Sequence, residues 1–296
     1  MPADNLRGIM LMLVSMALFG IEDMFLKLAT KTIPSGQIIF VSGALGLPVF
    51  LFLAWRQRQK VWTRAALHRA ALARNIGEMV ASIAYVYALA TVPLATLSAV
   101  LQALPLAMTM AAALFMQEQV GWRRWLAISV GLLGVTLVIR PGMDGFQPES
   151  LWVLVSVAAL VLRDLSSRAI PKECSTTQIS AWGLMAITLL GAVMMLHGGA
   201  VVPTPSQAGI LAAAAAFGTA GYAAIVAASR TGEVSVVAPF RYARLIFAIV
   251  IGVTVFSESL DLPTIIGSCL IIGSGLYSFA RERMRKRTLS MPTAAR

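Results

Sequence analysis

Ten apolar runs, each long enough to cross a bilayer, follow one another along this chain. They fall at roughly 8–29, 36–55, 72–90, 96–116, 122–139, 151–168, 178–197, 207–228, 234–256 and 263–280. A hydrocarbon core takes about 20 residues of helix to cross. Peptide groups in lipid find no water, so each run must satisfy its own hydrogen bonds as a helix. Only 12% of the residues are charged, where a soluble domain has about 25%, so there is too little polar surface to face water. The second run could end early and the sixth carries Arg163 and Asp164, which leaves nine spans as the alternative count. Pro34-Ser35-Gly36, Arg140-Pro141-Gly142 and the Pro203/Pro205 pair mark breaks between runs. Asp261-Leu262-Pro263 opens the last run with a capping acid and an early proline.

The net charge of +11 is spread in short bursts between the apolar runs, the pattern of loops beside anionic lipid and not of a nucleic-acid surface. With the N-terminus inside, the inner loops and tails hold 18 of the 24 Lys and Arg residues, Lys172 and Arg296 among them. The outer loops hold two, Lys31 and Arg140. This bias predicts a multi-pass membrane protein with both termini cytoplasmic. Cys174 and Cys269 form no disulfide framework or metal cluster, and no cleavable leader is evident before the first run.

Shifting the chain by 140 residues lays its second half on its first. Thr91 falls on Thr231, Gln102 on Tyr242, Ala103 on Ala243, Glu118 on Glu258, and Asp23 on Arg163. Five spans is an odd number, so the second half enters from the opposite side. The expected architecture is an all-α membrane protein of ten transmembrane helices, built as two inverted five-helix repeats around a central cavity. The repeats should occupy 1–145 and 146–282, with a basic tail at 283–296. Glu118 and Glu258 end the fourth span of each half and are expected to serve the turn into the next helix.

Several segments resemble a known family. They are Phe19-Gly20 with the following Lys27, the turn acids Gln117-Glu118 and Ser257-Glu258, and the span-five ending from Gly134 to Gly142. They resemble the drug/metabolite transporter superfamily, in particular its ten-helix EamA-type members, over nearly the whole chain. The chain is most similar to bacterial amino-acid exporters of the YddG type. That resemblance implies a basket of ten helices that exports amino acids and related metabolites by alternating access. The segment Ala238-Pro239-Phe240-Arg241-Tyr242-Ala243-Arg244 also resembles importers of nucleotide-like or vitamin metabolites, of the S-adenosylmethionine or riboflavin type.

Ionisable groups deep in a span are costly and face a cavity or a partner. Here they are Glu22, Asp23, Lys27, Glu78, Arg163, Asp164 and Arg241, with Arg244 one turn after Arg241. Two adjacent guanidiniums repel and each needs an anion or carbonyl. Arg241 and Arg244 could receive a substrate carboxylate, whose plane matches the guanidinium fork. They could pair with Glu78, tie span nine to span three or six, or snorkel to the edge. Asp23, Glu78 and Arg163 are candidates for coupling or gating, with Arg74 as a competing i, i+4 partner for Glu78. Lys27 is expected to snorkel outward and Asp164 to be neutralised by Arg163, Arg168 or a cytoplasmic contact.

Tyr85, Gln102, Trp182, Tyr222 and Tyr242 are the aromatic and amide candidates for a cavity wall. Tyr85 and Tyr87 point to different faces, so one of them at most should line it. Trp55, Trp62, Trp122, Trp125 and Trp152 sit at span ends and fit interfacial anchoring. Pro105 and Pro239 are bend-point candidates. No phosphate-binding loop, His-Glu-x-x-His or Gly-x-Ser-x-Gly is present, and His68 and His197 fall on opposite sides. An intramembrane enzyme or a passive scaffold is therefore a weaker reading than a transporter. A small-molecule substrate and the lipid bilayer are the expected partners, with no nucleic acid, no cofactor, no metal and a monomeric state.

Overall fold

A computed structural model describes residues 3–142, 146–171, 173–231 and 233–290. Lys172 and Arg296, counted above in the inner loops, lie outside the described residues. The helices are α1 (Ala3–Thr30), α2 (Ser35–Arg56), α3 (Arg69–Thr91), α4 (Leu94–Leu101), α5 (Leu104–Phe115) and α6 (Trp122–Ile139). The second half holds α7 (Leu151–Arg168), α8 (Thr176–Gly198), α9 (Pro205–Thr231), α10 (Val234–Val237), α11 (Ala243–Phe256) and α12 (Leu262–Ser290). Span four is α4 with α5. Span nine is α10, a 3-10 turn over Ala238–Tyr242, and α11. Ten spans result, so α1 begins and α12 ends at one face, called here the terminal face, opposite the far face.

Nine segments among the described residues are long and apolar enough to cross a membrane. The tenth, α3, has the length but carries Arg69, Arg74, Asn75 and Glu78 in its first half. The ambiguous span is thus the third, not the second or sixth. The helix α12 also continues to Ser290, into the segment expected to be a separate tail.

Packing follows a two-fold rule. The helix α1 lies along α9 and α3 along α7, while α2 packs on α8, α6 on α12, and α4 on α11. Exchanging the halves converts the first two pairs into each other and returns each of the others to itself, as two inverted repeats require. Close approach needs small residues. Where α6 crosses α12, a Cβ on Gly134 would sit 2.7 Å from the Gly267 carbonyl oxygen, and one on Gly267 would sit 2.6 Å from the Gly134 carbonyl oxygen. Ser15 donates to the Gly221 carbonyl at 2.7 Å between α1 and α9, and Ser156 to the Ala81 carbonyl at 3.4 Å between α7 and α3.

The turns after spans four and nine are built alike. Gln117 (φ 55°) and Ser257 (φ 54°) both take the left-handed conformation. The next N–H, of Glu118 or Glu258, donates to Ala112 or Gly252 at 3.2 and 2.9 Å. All three pairs of positions are 140 residues apart. Asp261 caps α12 by accepting from the Thr264 N–H at 3.0 Å, as the Asp-Leu-Pro sequence predicts. The apolar centre joins Ile38, Leu89, Leu94, Leu97, Val153 and Ile271 from both halves. Trp55, Trp62 and Trp122 are 70–75% exposed at span ends.

Candidate functional site

The fourth span of each half is interrupted at the same place. The helix α4 stops at Leu101, and α5 starts at Leu104 with Pro105 in its first turn. In span nine, Pro239 sits in the first turn of the 3-10 segment, and regular helix resumes at Ala243. Gln102 and Tyr242, equivalent under the repeat, flank these breaks. A proline cannot donate to the preceding turn, and an interrupted helix exposes peptide groups toward whatever lies between the halves. The Gln102 amide uses one of them, donating at 3.2 Å to the Arg241 carbonyl across the two spans.

Around the breaks the deep charges sort into clusters. Asp23 of α1 is 1% exposed and receives Arg244 of α11. Arg244 Nη2 lies 2.9 and 2.8 Å from the two carboxylate oxygens and Nε lies 3.2 Å from Oδ2. The Tyr85 hydroxyl of α3 donates to Asp23 Oδ1 and accepts from Arg244 Nη2 at 3.3 Å. The Arg244 guanidinium also lies 5.4 Å from the Phe19 ring centre. Three spans are therefore held by one neutral pair and a phenol. Arg244 is a tie, but to span one and not to span three or six through Glu78.

Glu78 of α3 anchors the second cluster. Arg163 of α7 reaches it at 3.4 Å and Arg74, one turn back, at 3.3 Å. Arg163 Nε also meets Asp164 at 2.8 Å. Gly77 makes this possible, because a Cβ there would lie 2.8 Å from the backbone nitrogen of Arg163. Asp164 is thus neutralised by Arg163. Asp23 and Arg163, matched in the repeat, belong to different clusters and do not meet.

The third cluster closes the far face. Lys27 Nζ sits 2.9 Å from Glu258 and donates to the Val92 carbonyl at 2.6 Å. The Leu94 N–H, first in α4, donates to both Glu258 oxygens at 2.9 and 2.8 Å. A carboxylate here satisfies the helix start and complements its dipole. Two expectations are corrected. Lys27 does not snorkel outward, because a buried anion is within reach, and the Glu258 side chain serves a helix of the other repeat instead of its own turn. Nothing in the sequence beyond the 140-residue shift points to this contact.

Of the remaining candidates, Arg241 is an exposed residue whose guanidinium makes no hydrogen bond or ion pair among the described residues. Asp164, Arg163 and Arg244 are the charged groups that act on it. The Tyr242 hydroxyl lies against Gly275 of α12. Tyr222 lines a cleft of about 570 Å³ between α1, α2, α8 and α9, edge-to-face with Phe50 at 5.6 Å. Trp182 lies elsewhere. It is 2% exposed, donates to the Val61 carbonyl at 2.8 Å and packs with Ala71 and Ile170, because its indole N–H finds a loop carbonyl near the terminal face. Tyr85 faces inward, while Tyr87 is exposed and stacks on Trp152. No group of His, Cys, Asp and Glu suited to a metal occurs among the described residues.

Known proteins share this fold. A crystal structure 19% identical to this chain covers 96% of it and 99% of its own length at a TM-score of 0.59, a likeness of fold. An S-adenosylmethionine uptake transporter of Rickettsia prowazekii is 22% identical over 281 residues, 94% of each chain. A pseudopaline exporter of Pseudomonas aeruginosa is 25% identical over 281 residues, 92% of this chain and 96% of that one. The model of the EamA-like transporter family matches residues 6–140 and again 147–279, one match in each half, and the chain belongs to that family.

Proposed function

We propose that this chain is a secondary transporter that exports amino acids and related small metabolites across the bacterial inner membrane by alternating access, with both termini cytoplasmic. One observation carries the substrate class. Among the described residues, the deep cations Lys27, Arg74, Arg163 and Arg244 each meet a carboxylate, and Arg241 meets none. It stands beside the paired breaks of spans four and nine, next to the Gln102 amide. A guanidinium without a partner binds a carboxylate with two parallel hydrogen bonds. Asp164 is already held by Arg163, which leaves Arg241 free for a substrate.

The basic bias of the terminal-face loops supports the orientation. The repeats at 1–145 and 146–282 supply the two bodies that rock about the site. The pseudopaline exporter among the relatives is consistent with export, and the Rickettsia uptake transporter keeps import of an S-adenosylmethionine-like metabolite as the second reading.

The test is efflux from cells loaded with labelled amino acids. Cells making the protein should lose label faster than cells making Arg241→Ala at equal membrane abundance. Equal rates would remove Arg241 from the site. Faster uptake of S-adenosylmethionine with unchanged amino-acid efflux would favour the second reading.

A further inference from the structure

Glu22 is the one deep carboxyl left over when the charges of the described spans are paired. Asp23 cancels Arg244, Glu78 and Asp164 cancel Arg74 and Arg163, and Glu258 cancels Lys27. Among the described residues Glu22 makes no hydrogen bond and no ion pair, although Asp23 and Arg244 are its near charged neighbours. Its carboxyl faces α9 at Gly218, where a Cβ would collide with it, so glycine is what lets the group turn that way. Both residues line the cleft of about 570 Å³ between α1, α2, α8 and α9. Apart from the hydroxyl residues Ser42 and Thr219, the other uncharged walls are apolar or aromatic, including Leu26, Val49, Phe50 and Tyr222. The cleft's other charge, Arg230, is 12 residues beyond Gly218 on α9, about 18 Å along a helix, and so lies at the terminal-face mouth.

We propose that this cleft is a binding subsite for an organic ammonium carrying an apolar body, with Glu22 as its anion and Phe50 and Tyr222 as its aromatic walls. A carboxylate against apolar surface is unfavourable unless a cation joins it. An ammonium meets that need, its carbon skeleton fills the apolar part of the cleft, and ring faces attract the cation. Arg241 is the uncompensated cation and Glu22 the uncompensated anion, and an amino acid carries the complement of each charge. The inference deepens the amino-acid reading and rests on it for the identity of the natural ligand. The subsite itself is measured without transport.

The experiment is calorimetric titration of purified protein in nanodiscs with 2-phenylethylammonium, which has the cation and the apolar body but no carboxylate. Saturable binding by the natural protein is expected, weakened at least tenfold in Glu22→Gln. Gly218→Val, which fills the cleft while keeping the charge, should weaken it similarly. It also serves if Glu22→Gln does not fold. No saturable binding, or equal binding by Glu22→Gln and the natural protein, would overturn the subsite and leave lipid chains as the occupant. Failure of amino-acid efflux with Glu22-dependent binding intact would instead overturn the transport reading alone.

Discussion

The turns that follow spans four and nine share one backbone and serve opposite ends of the molecule differently. At the far face, Glu258 and Lys27 are each 12% exposed and close on the start of α4. At the terminal face, Glu118 and Arg168 are 50 and 52% exposed and meet at a single 3.3 Å contact. Cavities flank the two turns at matching places. The one beside Ser259, Leu260 and Asp261 holds about 260 Å³, and the one beside Gln119, Val120 and Gly121 about 720 Å³. A symmetric sequence plan thus carries an asymmetric pair of contacts, buried at one end and half exposed at the other. One contact made and its counterpart slack is the asymmetry that the proposed alternating access would use.

The comparison can be broken most sharply at the latches. Glu258→Ala leaves Lys27 buried without its anion and the first N–H of α4 without an acceptor, a loss on the order of 3–5 kcal/mol. Glu118→Ala should cost about 1 kcal/mol or less, since the pair it removes is half exposed. Unfolding by denaturant in matched detergent measures both, and equal losses would erase the distinction. Next in size, Arg244→Lys keeps the charge on Asp23 but loses the forked contact. It should cost about 1–2 kcal/mol by the same assay. A neutral result would mean that the fork contributes nothing.

Salt separates the latches more gently. Raising it to 1 M shortens the screening length to about 3 Å. A double-mutant cycle for Glu118 and Arg168 should therefore lose its coupling, while that for Lys27 and Glu258 retains most of it. The smallest effect is at the end of span five, where Arg140 meets Asp261 outside the spans. Slight burial raises the Asp261 carboxyl, but hydrogen bonds from Thr264 and the Arg140 guanidinium outweigh it and hold it below the ordinary range. A depressed acid stabilises the fold above its unfolded value of about 3.9, and the contribution fades as pH falls through the lower folded value. Asp261→Asn should lower stability slightly at neutral pH, where the contribution is present, and flatten the profile below about pH 4, where variant and natural protein converge.

The spans and the repeat were legible in the residues because lipid imposes length and apolarity on every crossing. The breaks at Gln102 and Tyr242 were half legible, through Pro105 and Pro239. Which charges pair was not, because pairing depends on how helices rotate and cross. Periodicity places Asp23 and Tyr85 on faces of their own helices, but only the α1, α3 and α11 packing brings them to Arg244. Trp182 misled because an aromatic inside a span reads the same whether it lines a cavity or plugs a loop. Glu22 was visible as a deep charge, yet its lack of a partner is a property of the assembled bundle.

The account stands on movement of a small zwitterion through this bundle, and counterflow measures that directly. Proteoliposomes loaded with unlabelled amino acid should accumulate labelled amino acid above the level of empty liposomes. Arg241→Ala should bring accumulation down to that level. Accumulation no greater than in empty liposomes, across the common amino acids and S-adenosylmethionine, would contradict the account.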